Sequence, residues 1–217
     1  MNSVETVVPR KFDHISVKSS LSNEKIDFIC ELMMQNNSRS ILEIGVKSGG
    51  STIKYLEFIN KYLQNASLTS VDIDPKAGAQ IYKYGLDMSN FKLIAGKTVE
   101  DLQHEQQLSI YDFVIFDTVH FCPGEILDYM VVQSHLAKSA IVVFDDPMIE
   151  LSDYVYDENK GKTSCNSLLA HSITGTKYVM KDNLDIVAIK TDDNRLTWLD
   201  FKFMLAHKDK QLEKNKC

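Results

Sequence analysis

Residues 41–52 read Ile-Leu-Glu-Ile-Gly-Val-Lys-Ser-Gly-Gly-Ser-Thr. They begin as a short apolar run rich in β-branched side chains, break at Gly45, and pass through Gly49 and Gly50 into a segment of helical periodicity. That order predicts a strand, a tight turn and a helix start. Glycines let backbone approach a ligand closely, and the first N–H groups of a helix are unpaired and partially positive. The unit therefore suits a ligand with a carboxylate or phosphate.

Working outward, Ser22-Asn23-Glu24 offers an N-cap before Ile26, Phe28, Ile29, Leu32 and Met33, whose spacing predicts a helix. Residues 1–22 are mixed and polar with Pro9, and read as an N-terminal arm or short helix. On the other side, Ile53, Leu56, Ile59 and Leu63 mark a helix, and Leu68 to Val71 a strand ending in Asp72-Ile73-Asp74-Pro75. The alternation continues with a helix over 77–84, a strand over 91–95, a short helix over 99–105, a strand over 111–116, a helix over 124–136 and a strand over 140–144. Strands apolar on both faces belong to a parallel sheet covered by helices on both sides. The fold class expected is α/β, a doubly wound, Rossmann-like and mostly parallel sheet. Two strands within 177–190, joined by a turn at Asp182-Asn183, would finish it as a C-terminal antiparallel hairpin.

One domain over 1–217 is expected from 217 residues and 24.7 kDa. The acidic, aperiodic stretch 147–164 reads as a lid loop after a strand end, and 195–217 as a terminal amphipathic segment that could pack on its own subunit or on a second one, making a homo-oligomer. The net charge of -6 argues against nucleic-acid binding, which depends on phosphate neutralisation by Lys and Arg. Cys30, Cys122, Cys165 and Cys217 show neither a CxxC pair nor zinc spacing, and the first residues lack a signal-peptide profile, so a cytoplasmic protein is expected. No apolar run approaches the roughly 20 residues that span a membrane. A small molecule is the expected partner.

In an open parallel sheet, ligands sit beyond the carboxyl ends of the strands. The polar residues there are Glu43 with the glycine loop, Asp72, Lys97-Thr98, Asp117 to His120, and Asp145-Asp146. Asp72, closing the second strand of the unit, is placed to accept hydrogen bonds from two ribose hydroxyls. Glu43 lies within an apolar strand, where a carboxylate is costly unless a cation such as a ligand ammonium, or hydrogen-bond donors, meet it.

The series Leu-Glu-Ile-Gly-Val-Lys-Ser-Gly-Gly-Ser, Val-Asp-Ile-Asp, Ala-Gly-Lys-Thr, Tyr-Asp-Phe-Val-Ile-Phe-Asp-Thr-Val-His and Val-Val-Phe-Asp-Asp resembles the ordered motifs of class I S-adenosylmethionine-dependent methyltransferases. Within them it is most similar to small-molecule O-methyltransferases of the catechol and caffeoyl-CoA type and their bacterial sugar and macrolide relatives. The resemblance covers roughly residues 40–146. It implies that Glu43, Gly45, Gly49 and Ser51 surround the methionine part of S-adenosylmethionine, that Asp72 holds the ribose, and that Thr98 falls near the adenine. It also implies that Asp117, Asp145 and Asp146 hold a divalent cation, usually magnesium, with Asp117 counted among the catalytic and cofactor-binding residues as well. His120 stands where the catechol and caffeoyl-CoA enzymes carry a lysine base.

The chemistry is coherent on its own terms. Three carboxylates at two adjacent strand ends repel one another unless a hard cation meets them, and magnesium acidifies a coordinated hydroxyl. A histidine can take the proton near neutral pH. Asp145 and Asp146 could instead cap the turn before Pro147. The expected activity is methyl transfer to a hydroxyl of a sugar, polyketide or phenolic acceptor. One rival is an NAD(P)-dependent oxidoreductase, against which Lys47 stands where a pyrophosphate site wants glycine. The other is a catalytically silent S-adenosylmethionine-binding domain.

Overall fold

In a computed structural model, residues 3–118, 124–147, 166–181 and 183–192 are described. His120, Cys122, the lid residues beyond Pro147 up to 164, Asp182 and the terminal segment 195–217 lie outside them.

The described chain forms one eight-stranded sheet. Its strands are β1 (Ser3–Val7), β2 (Ser40–Ile44), β3 (Ser67–Asp72), β4 (Phe91–Ala95), β5 (Tyr111–Phe116), β6 (Leu136–Asp145), β7 (Gly175–Met180) and β8 (Asn183–Thr191). The order across the sheet is β1-β7-β8-β6-β5-β2-β3-β4. Pairing is parallel from β6 to β4 and between β1 and β7, and antiparallel where β8 enters between β6 and β7. The helices are α1 (Asn23–Gln35), α2 (Gly50–Tyr62), α3 (Val99–His104), α4 (Gly124–Val132) and α5 (Asn166–Ser172). No helix among the described residues is long and apolar enough to cross a membrane.

Two apolar layers flank the sheet. On one face Ile26, Phe28, Ile29, Leu32 and Met33 of α1 and Ile53, Tyr55, Leu56, Phe58 and Ile59 of α2 pack against Ile41, Phe113, Ile115 and Val143. On the other, Val99 and Leu102 of α3, Ile126 and Tyr129 of α4 and Leu169 of α5 pack against Leu42, Val114, Phe116 and Phe144. Alternate residues of β2 and β5 thus serve opposite layers, which is why those strands are apolar throughout.

Two segments depart from the sequence reading. The arm opens with a strand, β1, pairing in parallel with β7, although Ser3 to Thr6 are exposed and carry no alternating apolar signal. Ladder hydrogen bonds to a distant partner, invisible in a local pattern, fix it there. Residues 77–84 form turns and a short 3-10 segment at Ile81–Lys83 instead of an α-helix. Gly78 has φ +74°, and the N–H groups of Gly78 and Gln80 donate to the carbonyls of Lys47 and Ser48 at 2.8 and 3.3 Å. Tertiary bonds to the glycine loop take the donors that a helix would have used.

Candidate functional site at the strand-order reversal

The chain runs outward from β2 to β3 and β4 on one side, then returns to continue through β5 and β6 on the other. The carboxyl ends of β2 and β5 therefore border the crevice where open α/β sheets bind ligands. Pairing extends past the strands there: the N–H of Gly45 donates to the Val71 carbonyl at 2.9 Å and that of Asp117 to the Ile44 carbonyl at 3.0 Å. Gly45 has φ +92°, and a Cβ on it would lie 2.0 Å from the Asp117 carbonyl oxygen. Only glycine fits between these two strand ends.

The loop is clamped from β3. Asp72 Oδ2 accepts from the N–H groups of Val46 and Lys47 at 2.7 and 2.8 Å, and its Oδ1 accepts from Asp74 N–H at 2.8 Å. These bonds hold Lys47 at φ +54°, a left-handed conformation that an L side chain rarely adopts. The Asp72 carbonyl also accepts from Gly96 and Lys97 N–H, tying the third strand end to the same place. Thr98 follows as the N-cap of α3 in a capping box with Asp101, which gives it a helix-capping role beside the loop that holds Asp72. Helix α2 starts at Gly50 behind Gly49, which has φ +91° and no side-chain cap. The N-terminal arm crosses this helix start: a Cβ on Gly50 would meet the Lys18 carbonyl oxygen at 2.1 Å. Buried carboxylates strap the arm down. Glu31 binds Arg10, Asp27 accepts from Phe12 N–H and lies 2.7 Å from His14 Nε2, and Glu57 accepts from Ile15 N–H.

Glu43 is fully buried beneath the loop. Its Oε2 accepts from the hydroxyls of Ser70 and Thr52 at 2.6 and 2.8 Å, and its Oε1 from Ser51 at 3.3 Å. Burial pushes its pKa up to about 7; the hydroxyls of Ser70, Thr52 and Ser51 oppose the rise and the Asp117 charge adds to it. The site thus holds a carboxyl poised between its two protonation states at neutral pH, one that a nearby cation would ionise.

At the rim, Asp117 Oδ2 accepts from the Ser20 hydroxyl at 3.3 Å. Asp145 ends β6, and Asp146 follows at φ +50°, its N–H donating to the Asp185 carbonyl. Lys25 Nζ lies 2.7 Å from Asp145 Oδ1 and 2.6 Å from Asp146 Oδ1. Burial lowers the Lys25 pKa, but the hydrogen bonds and charges of Asp145 and Asp146 outweigh it and leave the pKa raised, so the ammonium is charged. This arrangement does not fit the divalent cation expected from the sequence. The two carboxylates are already engaged by a cation, and among the described residues no group of three or more His, Cys, Asp or Glu is disposed to hold a metal ion.

The structure therefore brings Glu43, Gly45, Gly49, Ser51, Asp72 and Asp117 together at one crevice, with Asp145 and Asp146 tied to the first turn of α1. His120 lies outside the described residues. Sequence reasoning missed Lys25, Ser20, Thr52 and Ser70. The last two had a signal: a buried strand glutamate needs donors, and hydroxyls stood nearby at the helix start and on the adjacent strand.

Residues 42–147 match a protein family described as a methyltransferase domain. No curated protein matches the chain. Among solved structures, the Streptomyces achromogenes O-methyltransferase TomG, involved in tomaymycin synthesis and solved with S-adenosylmethionine, is 16% identical over 79% of this chain and 82% of its own, with a TM-score of 0.58. A Bacillus cereus O-methyltransferase in complex with S-adenosylhomocysteine is 17% identical over 79% of this chain and 83% of its own, also at 0.58. MycE, a methyltransferase of the mycinamycin pathway solved with magnesium, S-adenosylhomocysteine and mycinamycin VI, is 16% identical over 77% of this chain and 50% of its own, at 0.53. At these identities the likeness is one of fold.

Proposed function

From a chain whose residues 42–147 are a methyltransferase domain, we infer an S-adenosylmethionine-dependent O-methyltransferase acting on a hydroxyl of a small acceptor. The observation that carries this reading is the Gly45 to Ser51 loop, closed against Asp117 at the strand-order reversal and underlain by Glu43. A pyrophosphate would want only donors there. An amino acid end carries both charges, and the loop offers both: uncapped N–H groups at the start of α2 for a carboxylate, and the Glu43 and Asp117 carboxyls below and beside them for an ammonium.

Each residue has a defined task in this reading. Gly45 and Gly49 let the backbone close on the methionine end. Asp72 holds the loop through Oδ2, which accepts from both Val46 and Lys47 N–H, and retains acceptor capacity on Oδ1 for a ribose hydroxyl. The loop from Gly96 to Thr98, tied to the Asp72 carbonyl, flanks the adenine. The acceptor oxygen attacks the sulfonium methyl carbon, the carbon–sulfur bond breaks with its electron pair leaving on sulfur, and the hydroxyl proton passes to His120. The chain contributes mainly positioning and exclusion of water, since the sulfonium leaves as a neutral thioether without assistance. Lys25 already engages Asp145 and Asp146, which leaves deprotonation of the acceptor hydroxyl to His120. A natural-product acceptor agrees with the fold likeness to TomG and MycE, and a net charge of -6 agrees with a small-molecule rather than nucleic-acid substrate. The lid 147–164 and the segment 195–217 are the proposed sources of acceptor contacts within a single domain.

Isothermal titration tests the reading. S-adenosylmethionine and S-adenosylhomocysteine should bind with micromolar affinity and NAD at least about 100-fold more weakly. Tighter binding of NAD overturns the assignment.

A further inference from the structure

The three carboxylates that the sequence assigns to a metal are all met by one short piece of chain. Ser20 binds Asp117, and Lys25 binds both Asp145 and Asp146, the first at 2.7 Å and the second at 2.6 Å. The side chains of Lys25 and Asp145 are only 12% and 6% exposed, so the pairing is shielded rather than a solvated surface contact. The position of the lysine is also unfavourable for its own helix. Ser22 caps α1 by accepting from Lys25 N–H, which puts Lys25 in the first turn, where the helix dipole disfavours a cation and a capping box would use glutamate. An ammonium held there against the dipole is explained by what it faces.

We propose that Lys25 takes the place of the divalent cation: it is the fixed counter-cation of the Asp145–Asp146 pair, and methyl transfer in this protein proceeds without a resident metal ion. A divalent ion seeking these oxygens at about 2.1 Å meets a like charge already hydrogen-bonded to both carboxylates, and binds only if Lys25 leaves. One consequence concerns the acceptor and rests on the methyltransferase reading. Chelation of two vicinal oxygens then plays no part in acceptor recognition at this rim.

The test is manganese binding to the full chain, read as the loss of the free Mn2+ signal in electron paramagnetic resonance. It needs no turnover, so its outcome is independent of whether the methyltransferase reading holds. Lys25→Met should bind Mn2+ at least about tenfold more tightly than the wild type. Lys25→Arg, which keeps the charge, should stay at the wild-type level. Affinities of wild type and Lys25→Met within tenfold of each other overturn the proposal. Should Lys25→Met fail to fold, the wild type decides in the same assay: a dissociation constant for Mn2+ weaker than about 100 μM supports the proposal, and a tighter one overturns it.

Discussion

Replacing Glu43 with Gln should flatten the pH dependence of stability. The carboxyl titrates near its ordinary value of 4.5 in the unfolded chain and at about 7 when folded, because burial disfavours its charge. Between those pH values the folded protein keeps a proton that the unfolded chain has released, so this group's stabilising contribution is complete below 4.5 and is lost as pH rises to 7. Each tenfold in proton affinity is worth about 1.4 kcal/mol, which makes the loss about 3 kcal/mol across the window. In Glu43→Gln no charge appears. The amide can still accept from the hydroxyls around it and donate to one of them, since Ser51, Thr52 and Ser70 can rotate. Urea unfolding of both proteins at pH 5, 6, 7 and 8 isolates the effect. Asp128, also raised to about 7 by burial, titrates alike in both and cancels in the difference. Part of the loss is already complete at pH 5, so the variant should gain about 2.5 kcal/mol on the wild type from pH 5 to pH 8. Parallel stability curves would refute the argument, because they would mean that Glu43 does not carry its proton into the folded state.

Three further outcomes are expected. Gly45→Ala forces a Cβ to within 2.0 Å of the Asp117 carbonyl at a positive φ, and should cost at least about 3 kcal/mol in urea unfolding; an unchanged midpoint contradicts the close approach of β2 and β5. Asp72→Asn turns one acceptor into a donor facing the N–H groups of Val46 and Lys47 or Asp74. It should cost about 1–3 kcal/mol and weaken S-adenosylmethionine binding at least tenfold by calorimetry, whereas retained affinity removes Asp72 from the cofactor site. His120→Ala should reduce kcat by about 100-fold or more with cofactor affinity kept, and near-normal kcat moves the proton to another base.

The strand, turn and helix around Gly45 were legible because local chemistry determines them: apolar residues alternate between two cores, and glycine is the residue that fits against Asp117. The order of strand ends was legible for the same reason, since parallel strands covered on both faces are apolar along their length. What escaped was long-range. Lys25 and Asp145 are 120 positions apart, and neither belongs to a pattern that points to the other. Asp72 could be placed at the rim, but not the inward use of its carboxylate, because backbone donors in a loop leave no trace in side-chain spacing. Strand β1 is held by backbone pairing at an edge, where exposed residues satisfy the ladder as well as apolar ones.

That edge strand also sets a timetable. Ser3 pairs with Thr176, so β1 finds its partner only after most of the chain has been made, whereas β2 to β5 can assemble from residues between 40 and 116. Closure over so long a span is entropically slow, and synthesis delivers the partner late. The arm that leads from β1 over Gly50 to Ser20 and Lys25 is thus anchored at its far end by one of the last pairings to form. The crevice at the strand-order reversal is framed early and roofed late, and amide exchange at Val4 to Val7 should be faster than at Leu42 to Ile44 in the same molecule.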